Sequence, residues 1–459
     1  MTSTALRLDK LRLENFRCFS DCELDLHSEL TMLVAENGRG KTALLDAVGT
    51  ALGAFVDGIA GTRHFHGFNR SDVRLVRSED GGMRPALPTK FIANGHVAGQ
   101  PVSWSCSLQR YTVHARSSTR DSKNIRELAI RVRQGLDGSD ASPDRAVIPL
   151  VAFYGTGRLW SEHRLTKGKK NYAIASDSRL SGYTDCLSSS SSFKGVVAWY
   201  ENKMREIGDA TFATKLSANL SLIAAIKEAV RVVLEPTGWR ELNWDGERRS
   251  IIVEHPEQGK LPLDALSDGV QNMIALVADV AHRCARLNPH LGENAARQTN
   301  GVLLVDEIDM HLHPRWQQRV VDLLREAFPN LQLILSTHSP HVLSTVASES
   351  IRVVRLSEGH GDLTIPPFQT RGVESADILA KVMDVDPVPQ IEPAQWLTDY
   401  RALIQSGEYE SDSGNELYAN LISHFGEEHP LLVEIDTLKR LQEFRRASKV
   451  PPKEGGDNA

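Results

Sequence analysis

Several things are scarce in this sequence, and each scarcity excludes something. No uninterrupted apolar run approaches the roughly 18–20 residues of a membrane span, and the opening MTSTALRLDKLRLENF has no apolar core of signal-peptide type. No membrane role is expected. Cysteines number five in 459 residues (Cys18, Cys22, Cys106, Cys186, Cys284) and form no C-x-x-C pair. Their odd count and scatter argue against a disulfide framework or a zinc site and for a reducing cytoplasm. Sustained heptads are missing, so no long coiled coil is expected. No D-x-D follows a buried strand and no HNH pattern occurs, so no nuclease centre is expected within the chain.

What is present is concentrated in Gly301 to Val342, GVLLVDEIDMHLHPRWQQRVVDLLREAFPNLQLILSTHSPHV. Val302 to Val305 is short and unbroken by polar residues, as a strand buried on both faces of a parallel sheet would be. Asp306 and Glu307 follow at its carboxyl end, where open α/β sheets bind ligands. Trp316 to Ala327 reads as a helix, and Leu331 to Leu335 as a second buried strand ending on Ser336-Thr-His-Ser339. A matching half lies near the N-terminus. The apolar run Leu30 to Val34 leads into Ala35-Glu-Asn-Gly-Arg-Gly-Lys-Thr42 and then a helical run.

That second stretch fits the phosphate-binding pattern G-x-x-x-x-G-K-[ST], with Ala35 in place of the first glycine. Asn37, Gly38, Arg39 and Gly40 would form the loop, the glycines letting backbone N–H groups approach phosphate oxygens. Lys41 would reach the β- and γ-phosphates, and the Thr42 hydroxyl would ligate Mg²⁺. A third motif, Ser267-Asp268-Gly269, stands at the start of the helical run Val270 to Leu287. It is either an anion-binding helix N-terminus or a plain serine cap.

Glu14-Asn-Phe-Arg17, the loop, Leu266-Ser-Asp-Gly269, Asp306-Glu307 and His338 together resemble the ABC-type ATPases, in the branch with RecF, SMC and OLD-like proteins. More narrowly, Ala152 to Trp160, Arg179 to Leu187 and Asp377 to Val388 look like PtuA, the ATPase subunit of Septu-type and retron-associated antiphage systems. The resemblance implies an α/β ABC-ATPase head, a P-loop core with a mixed sheet, binding ATP and Mg²⁺. It implies Thr42 and Asp306 at the metal, Glu307 polarising the attacking water and His338 sensing the γ-phosphate. It implies Ser267, Asp268 and Gly269 closing over nucleotide held by a second copy, in a head-to-tail homodimer or larger homo-oligomer. The glutamine that reports Mg²⁺ in such ATPases has no motif to place it, and Gln109 is one candidate.

The expected organisation is a head in two lobes, 1–55 and 261–371, with a compact α/β insert at 56–260 in place of a coiled-coil arm. A short acidic helical tail, 372–459, follows. Residues 61–180 carry 20 Lys+Arg against 10 Asp+Glu, and residues 372–459 carry 8 against 17. A basic insert suits nucleic acid and an acidic tail suits a basic protein partner, ordinary solvated surface being the bland alternative. Two functions fit: an ATP-driven switch controlling a separate effector such as an HNH-type nuclease in antiphage defence, or a RecF-like DNA-repair ATPase.

Overall fold

The computed structural model describes residues 5–61, 67–112, 118, 120–137, 146–158, 178–188, 194–208, 213–248 and 250–449. Two compact units divide between Met383 and Asp384. The first is built on a ten-stranded mixed sheet. Its order is Gln100–Leu108, Thr89–Val97, Leu6–Phe16, Phe19–Asp25, His360–Thr364, Ile351–Ser357, Leu30–Val34, Leu331–Thr337, Gly301–Val305, Leu150–Tyr154.

The last five strands in that order run parallel to one another. LTMLV, GVLLV and LVAFY are buried at every residue, because helices cover both faces of such a sheet. At the other end the strands are antiparallel and alternate. Val102, Trp104, Cys106 and Leu108 face the core while their neighbours are less buried. In the first strand the inward set Leu6, Leu8, Leu11, Leu13 changes phase at a register shift between Leu8 and Lys10, as a β-bulge does. The two halves are also tied by a side chain. Buried Gln332 donates to the Leu8 and His27 carbonyls at 2.7 and 3.0 Å and accepts from the Leu8 N–H at 3.0 Å.

Helix Lys41–Ala60 is buried on nearly all sides. Trp104 donates its indole N–H to the Ala51 carbonyl at 2.9 Å. At Gly58 a side-chain carbon would come within 2.7 Å of the Arg126 carbonyl, so helix Lys123–Asp137 crosses there in near-backbone contact. By length and composition this helix could cross a membrane, which the reading of apolar runs missed; its burial identifies it as a core helix.

The boundaries differ from those expected. Lys41–Ala60 runs through position 55 and stops at Gly61, whose φ of 69° supplies the left-handed cap. Thr89–Val97, Gln100–Leu108 and Leu150–Tyr154 are strands of the main sheet, so much of 56–260 is integral to it. The remainder includes helices Lys194–Gly208 and Ala213–Leu234 and the small sheet Arg240–Asp245, Ser250–His255, Gly259–Pro262. At the far end, helix Ser375–Lys381 belongs to the first unit rather than the tail. Ile378 is fully buried in the main core, and Ser375 Oγ is 2.8 Å from His341 Nδ1.

The second unit consists of helices Glu392–Ser406, Asp412–Phe425 and Pro430–Lys449 around Tyr400, Ile404, Tyr409, Leu421, Leu432 and Ile435. No strand occurs among its described residues. Asp384 and Asp386 are exposed on an irregular connection, as a surface pair would be. The lysines at 167, 169 and 170, the serines at 189–192 and Trp160 lie outside the described residues.

Candidate functional site

Three neighbouring parallel strands deliver the chemistry-bearing residues to one edge. Val34 pairs with Thr337, so two of the strands end level, and Val305 pairs with Leu335, so the third stops two residues earlier and Asp306-Glu307 continue alongside Ser336-Thr337. Loop 35–40 follows the first, Asp306-Glu307 the second and His338 the third. Sequence separation is large and spatial separation small, which is what parallel topology achieves.

Helix Lys41–Ala60 begins at Gly40, whose φ is 97°. A side chain there would lie 2.4 Å from the Phe19 ring and 2.7 Å from Cys18 Sγ, so only glycine fits. Gly38 is also left-handed, at 76°, but faces open space. Asn37 and Arg39 are exposed, with Arg39 paired to Glu36 at 3.0 Å. Lys41 Nζ donates to the Ala35 and Glu36 carbonyls at 2.6 and 3.1 Å. Burial pushes its pKa down, against the pull of Asp306, Glu307 and Asp309.

Thr42 Oγ1 donates to Asp306 Oδ2 at 2.8 Å, joining the two halves of the site across the whole insert. The other Asp306 oxygen accepts from Ser336 Oγ, and that hydroxyl accepts the Glu307 N–H at 2.8 Å. Asp306 is fully buried and Glu307 is half-buried in left-handed backbone, φ 47°. His338 Nε2 lies 4.0 Å from Glu307 Oε1. Burial and then the Lys41 charge hold the imidazole below its ordinary value, with the three carboxylates opposing. A hydroxyl and a carboxylate oxygen 2.8 Å apart are the hard donors that suit Mg²⁺. Among the described residues no larger group of His, Cys, Asp and Glu could hold a metal.

The roles of two residues escaped the sequence reading. Asp309 Oδ1 accepts the Thr337 hydroxyl at 2.6 Å and the His338 N–H at 3.3 Å, fixing the turn that carries the histidine. Its place three residues after Asp306 was the available signal. Arg17 bonds Asp46 on the loop's own helix and Asp72 at 2.8 Å, anchoring that helix from the opposite side.

Ser267 is the N-cap of helix Asp268–Leu287, yet its side chain makes no capping bond. Ser267 and Asp268 are exposed. Gly269 is buried against the turn after Glu307, where a side chain would stand 2.4 Å from the His311 carbonyl. His311 and His313 are exposed on that turn. Gln109 is turned to Ser107, with Nε2 3.2 Å from its hydroxyl.

Known proteins match parts of the chain. An AAA-domain family model matches residues 10–220, and a second AAA-domain model, named for the AbiEii toxin of Type IV toxin–antitoxin systems, matches 184–344. A protein named as the ATPase of retron Vc95, from Vibrio cholerae, is 26% identical over 91% of this chain and 87% of its own length. The corresponding protein of retron Ec83, from Escherichia coli, is 33% identical over 48% of this chain and 39% of its own length. Septu protein PtuA of Bacillus thuringiensis is 27% identical over 29% of this chain and 35% of its own length. The SMC head domain of Thermotoga maritima aligns at 16% identity, over 78% of this chain and 98% of that one, with a TM-score of 0.41. The narrower expectation of PtuA is thereby corrected, since the retron proteins match more of the chain. The chain is thus similar to AAA-domain ATPases, and its relatives include retron and Septu proteins, an OLD nuclease and the replication and repair protein RecF.

Proposed function

We propose that the chain is the ATP-hydrolysing switch subunit of a cytoplasmic antiphage system and controls a separate effector. The observation that carries the catalytic part is the Thr42–Asp306 bond, which brings a loop hydroxyl and a strand-end carboxylate into one pocket for hard cations. In this reading Thr42 and Asp306 hold Mg²⁺, with water completing the shell. The metal, when bound, neutralises charge on the transferring phosphoryl group. Lys41, released from the Ala35 and Glu36 carbonyls, bonds the β- and γ-phosphates, and the N–H groups of residues 37–40 line the phosphates. Glu307 polarises the attacking water, and His338, neutral at pH 7, contacts the γ-phosphate.

Ser267, Asp268 and Gly269 reach nucleotide on a second copy. The support is the exposed Ser267 hydroxyl, free of capping, at the start of a 20-residue helix. Ser267→Arg should impair nucleotide-dependent association of two copies, measured by light scattering with and without ATP. A chain that stays monomeric at micromolar concentration in both conditions would remove the head-to-tail arrangement.

The effector reading rests on the retron and Septu relatives, the acidic tail, and the absence of strands among its described residues. A separate HNH-type nuclease fits that tail, and the basic segment at 61–180 fits a nucleic-acid backbone. An ATPase biases a partner only by binding it differently in its nucleotide states. Tagged chain should therefore retain a co-purifying protein to different extents with ATP and without it, and deletion of residues 384–459 should reduce that retention more than ATP binding. Equal retention in every nucleotide state, or plasmid cleavage by the purified chain alone, would sink the reading. Stimulation of hydrolysis by gapped DNA, with no retained partner, would favour a RecF-like repair ATPase instead.

A further inference from the structure

The chemistry of the site does not use a group of buried polar residues directly behind it. The Asp306 N–H donates to the Tyr154 carbonyl at 2.8 Å, the last rung between strands Gly301–Val305 and Leu150–Tyr154. The phenol of the same Tyr154 donates to Asp279 Oδ2 at 2.6 Å. Asp279 lies on helix Asp268–Leu287, the helix that starts at Ser267–Gly269. Arg283, one turn further on, donates to Asp279 Oδ2 at 3.0 Å and to the Gly182 and Thr184 carbonyls, both at 2.9 Å. Tyr154, Asp279 and Arg283 are all buried.

Segment 179–186 clips the same two elements together. Phe153 N–H donates to the Cys186 carbonyl at 2.7 Å, and Arg179 Nε donates to the Leu287 carbonyl at 2.7 Å. Tyr183 donates its hydroxyl to the Pro149 carbonyl. Gly182 lies so close to the helix that a side chain there would be 2.6 Å from Leu287 Cγ. Edge strand and helix are therefore held in one register by bonds to charged groups, which are shorter and more directional than neutral ones. A buried ion pair is a weak source of stability but a good device for fixing register.

We propose that Tyr154 is a positioning residue for Asp306, transmitting the placement of the Ser267–Gly269 helix to the carboxylate through Asp279 and Arg283. The proposal rests on the ATPase reading above. Movement of that helix along its axis pulls on the phenol, the phenol fixes the end of its strand, and the strand end fixes the Asp306 backbone. Hydrolysis would then respond to what binds at Ser267–Gly269, without any change in the phosphate loop.

The test is Tyr154→Phe in the full-length chain, with Tyr183→Phe as a control that loses an equally buried phenol bond, made to the Pro149 carbonyl before the strand begins and not to Asp279 or Arg283. Three quantities are read: melting temperature, affinity for a fluorescent ATP analogue in EDTA, and turnover as a function of Mg²⁺ concentration. Tyr154→Phe should lose at least tenfold in kcat and need at least fivefold more Mg²⁺ for half-maximal rate, with analogue affinity within twofold. Tyr183→Phe should lower the melting temperature by a similar amount and keep kcat and Mg²⁺ dependence within twofold. Arg283→Lys, which keeps the charge but loses the two carbonyl bonds, should shift Mg²⁺ dependence in the same direction as Tyr154→Phe and carries the test if that variant does not fold. Unchanged kcat and Mg²⁺ dependence in Tyr154→Phe, or equal losses in both tyrosine variants, would overturn the proposal alone. Failure of the wild-type chain to bind the analogue would overturn the ATPase reading and this proposal with it.

Discussion

The parallel and antiparallel halves of the ten-stranded sheet bury similar residues to different ends. In the parallel half, strands such as LTMLV and GVLLV are buried at every residue, and Asp306, Glu307 and His338 sit just past the strand ends. In the antiparallel half, inward apolar residues alternate with exposed or half-exposed ones, and charged pairs such as Arg12–Asp21 line the outer face. The difference teaches a division of labour. Parallel strands open at their carboxyl ends and can converge functional groups from distant sequence. Antiparallel strands close through hairpins, and here they brace helix Lys41–Ala60 through contacts such as Trp104 to Ala51. Chemistry should thus be sensitive to changes in the first half and stability to changes in the second.

The largest effect expected from that division is at Lys41. Lys41→Ala removes a buried ammonium that faces Asp306, Glu307 and Asp309. ATP affinity should fall by on the order of 100-fold, about 3 kcal/mol, by equilibrium titration, with the thermal transition kept. Unaltered affinity would break the assignment of loop 35–42 to phosphate. Next, Thr42→Val deletes the donor to Asp306 Oδ2 while keeping the shape. The strengthening of ATP binding by Mg²⁺ should drop by roughly tenfold. A variant whose Mg²⁺ response matches wild type would separate Thr42 from the metal.

Much of this was legible in sequence, for a physical reason. A strand buried on both faces cannot alternate, so Val302–Val305 and Leu30–Val34 announced themselves, and the residues after them had nowhere to go but the sheet edge. Glycine at 40 was legible because a loop-to-helix junction of this kind demands left-handed backbone. Helix Lys123–Asp137 was not recognised, because its core-facing residues Ile125, Ala129 and Val132 are few and separated by charge. The Gln332 bridge and the Tyr154–Asp279–Arg283 group were also illegible. Each joins residues more than 100 positions apart, with no local pattern to mark it. Helix Ser375–Lys381, placed with the tail by the boundary at 372, buries only Ile378, so its sequence carries little sign of the core it joins.

A smaller effect is expected at the seam between the halves. Gln332→Leu removes three hydrogen bonds, two of them buried, and leaves the Leu8 N–H and two carbonyls without that partner. Stability should fall by about 1–3 kcal/mol, read by urea denaturation, with turnover per folded molecule unchanged. Lost turnover at full stability would blur the comparison. The smallest effect concerns pH. His338 is held below its ordinary value of 6.5. The neutral ring therefore persists as pH falls through that value, and its contribution is lost only as pH falls further, through the lowered value. Turnover should hold from pH 7.5 to 6.5 and decline below, and His338→Gln should flatten that acid limb by a few-fold. An identical profile in the variant would leave His338 outside the reaction.

Glu307 tests the central claim most directly, because its carboxylate follows Asp306 directly in sequence and lies 4.0 Å from His338 Nε2. ATP binding and ATP turnover should be measured on the same preparations of wild type and Glu307→Gln, at saturating Mg²⁺. The account expects binding within a few-fold of wild type and turnover lower by on the order of 10²–10³. Equal turnover in the two proteins would contradict it.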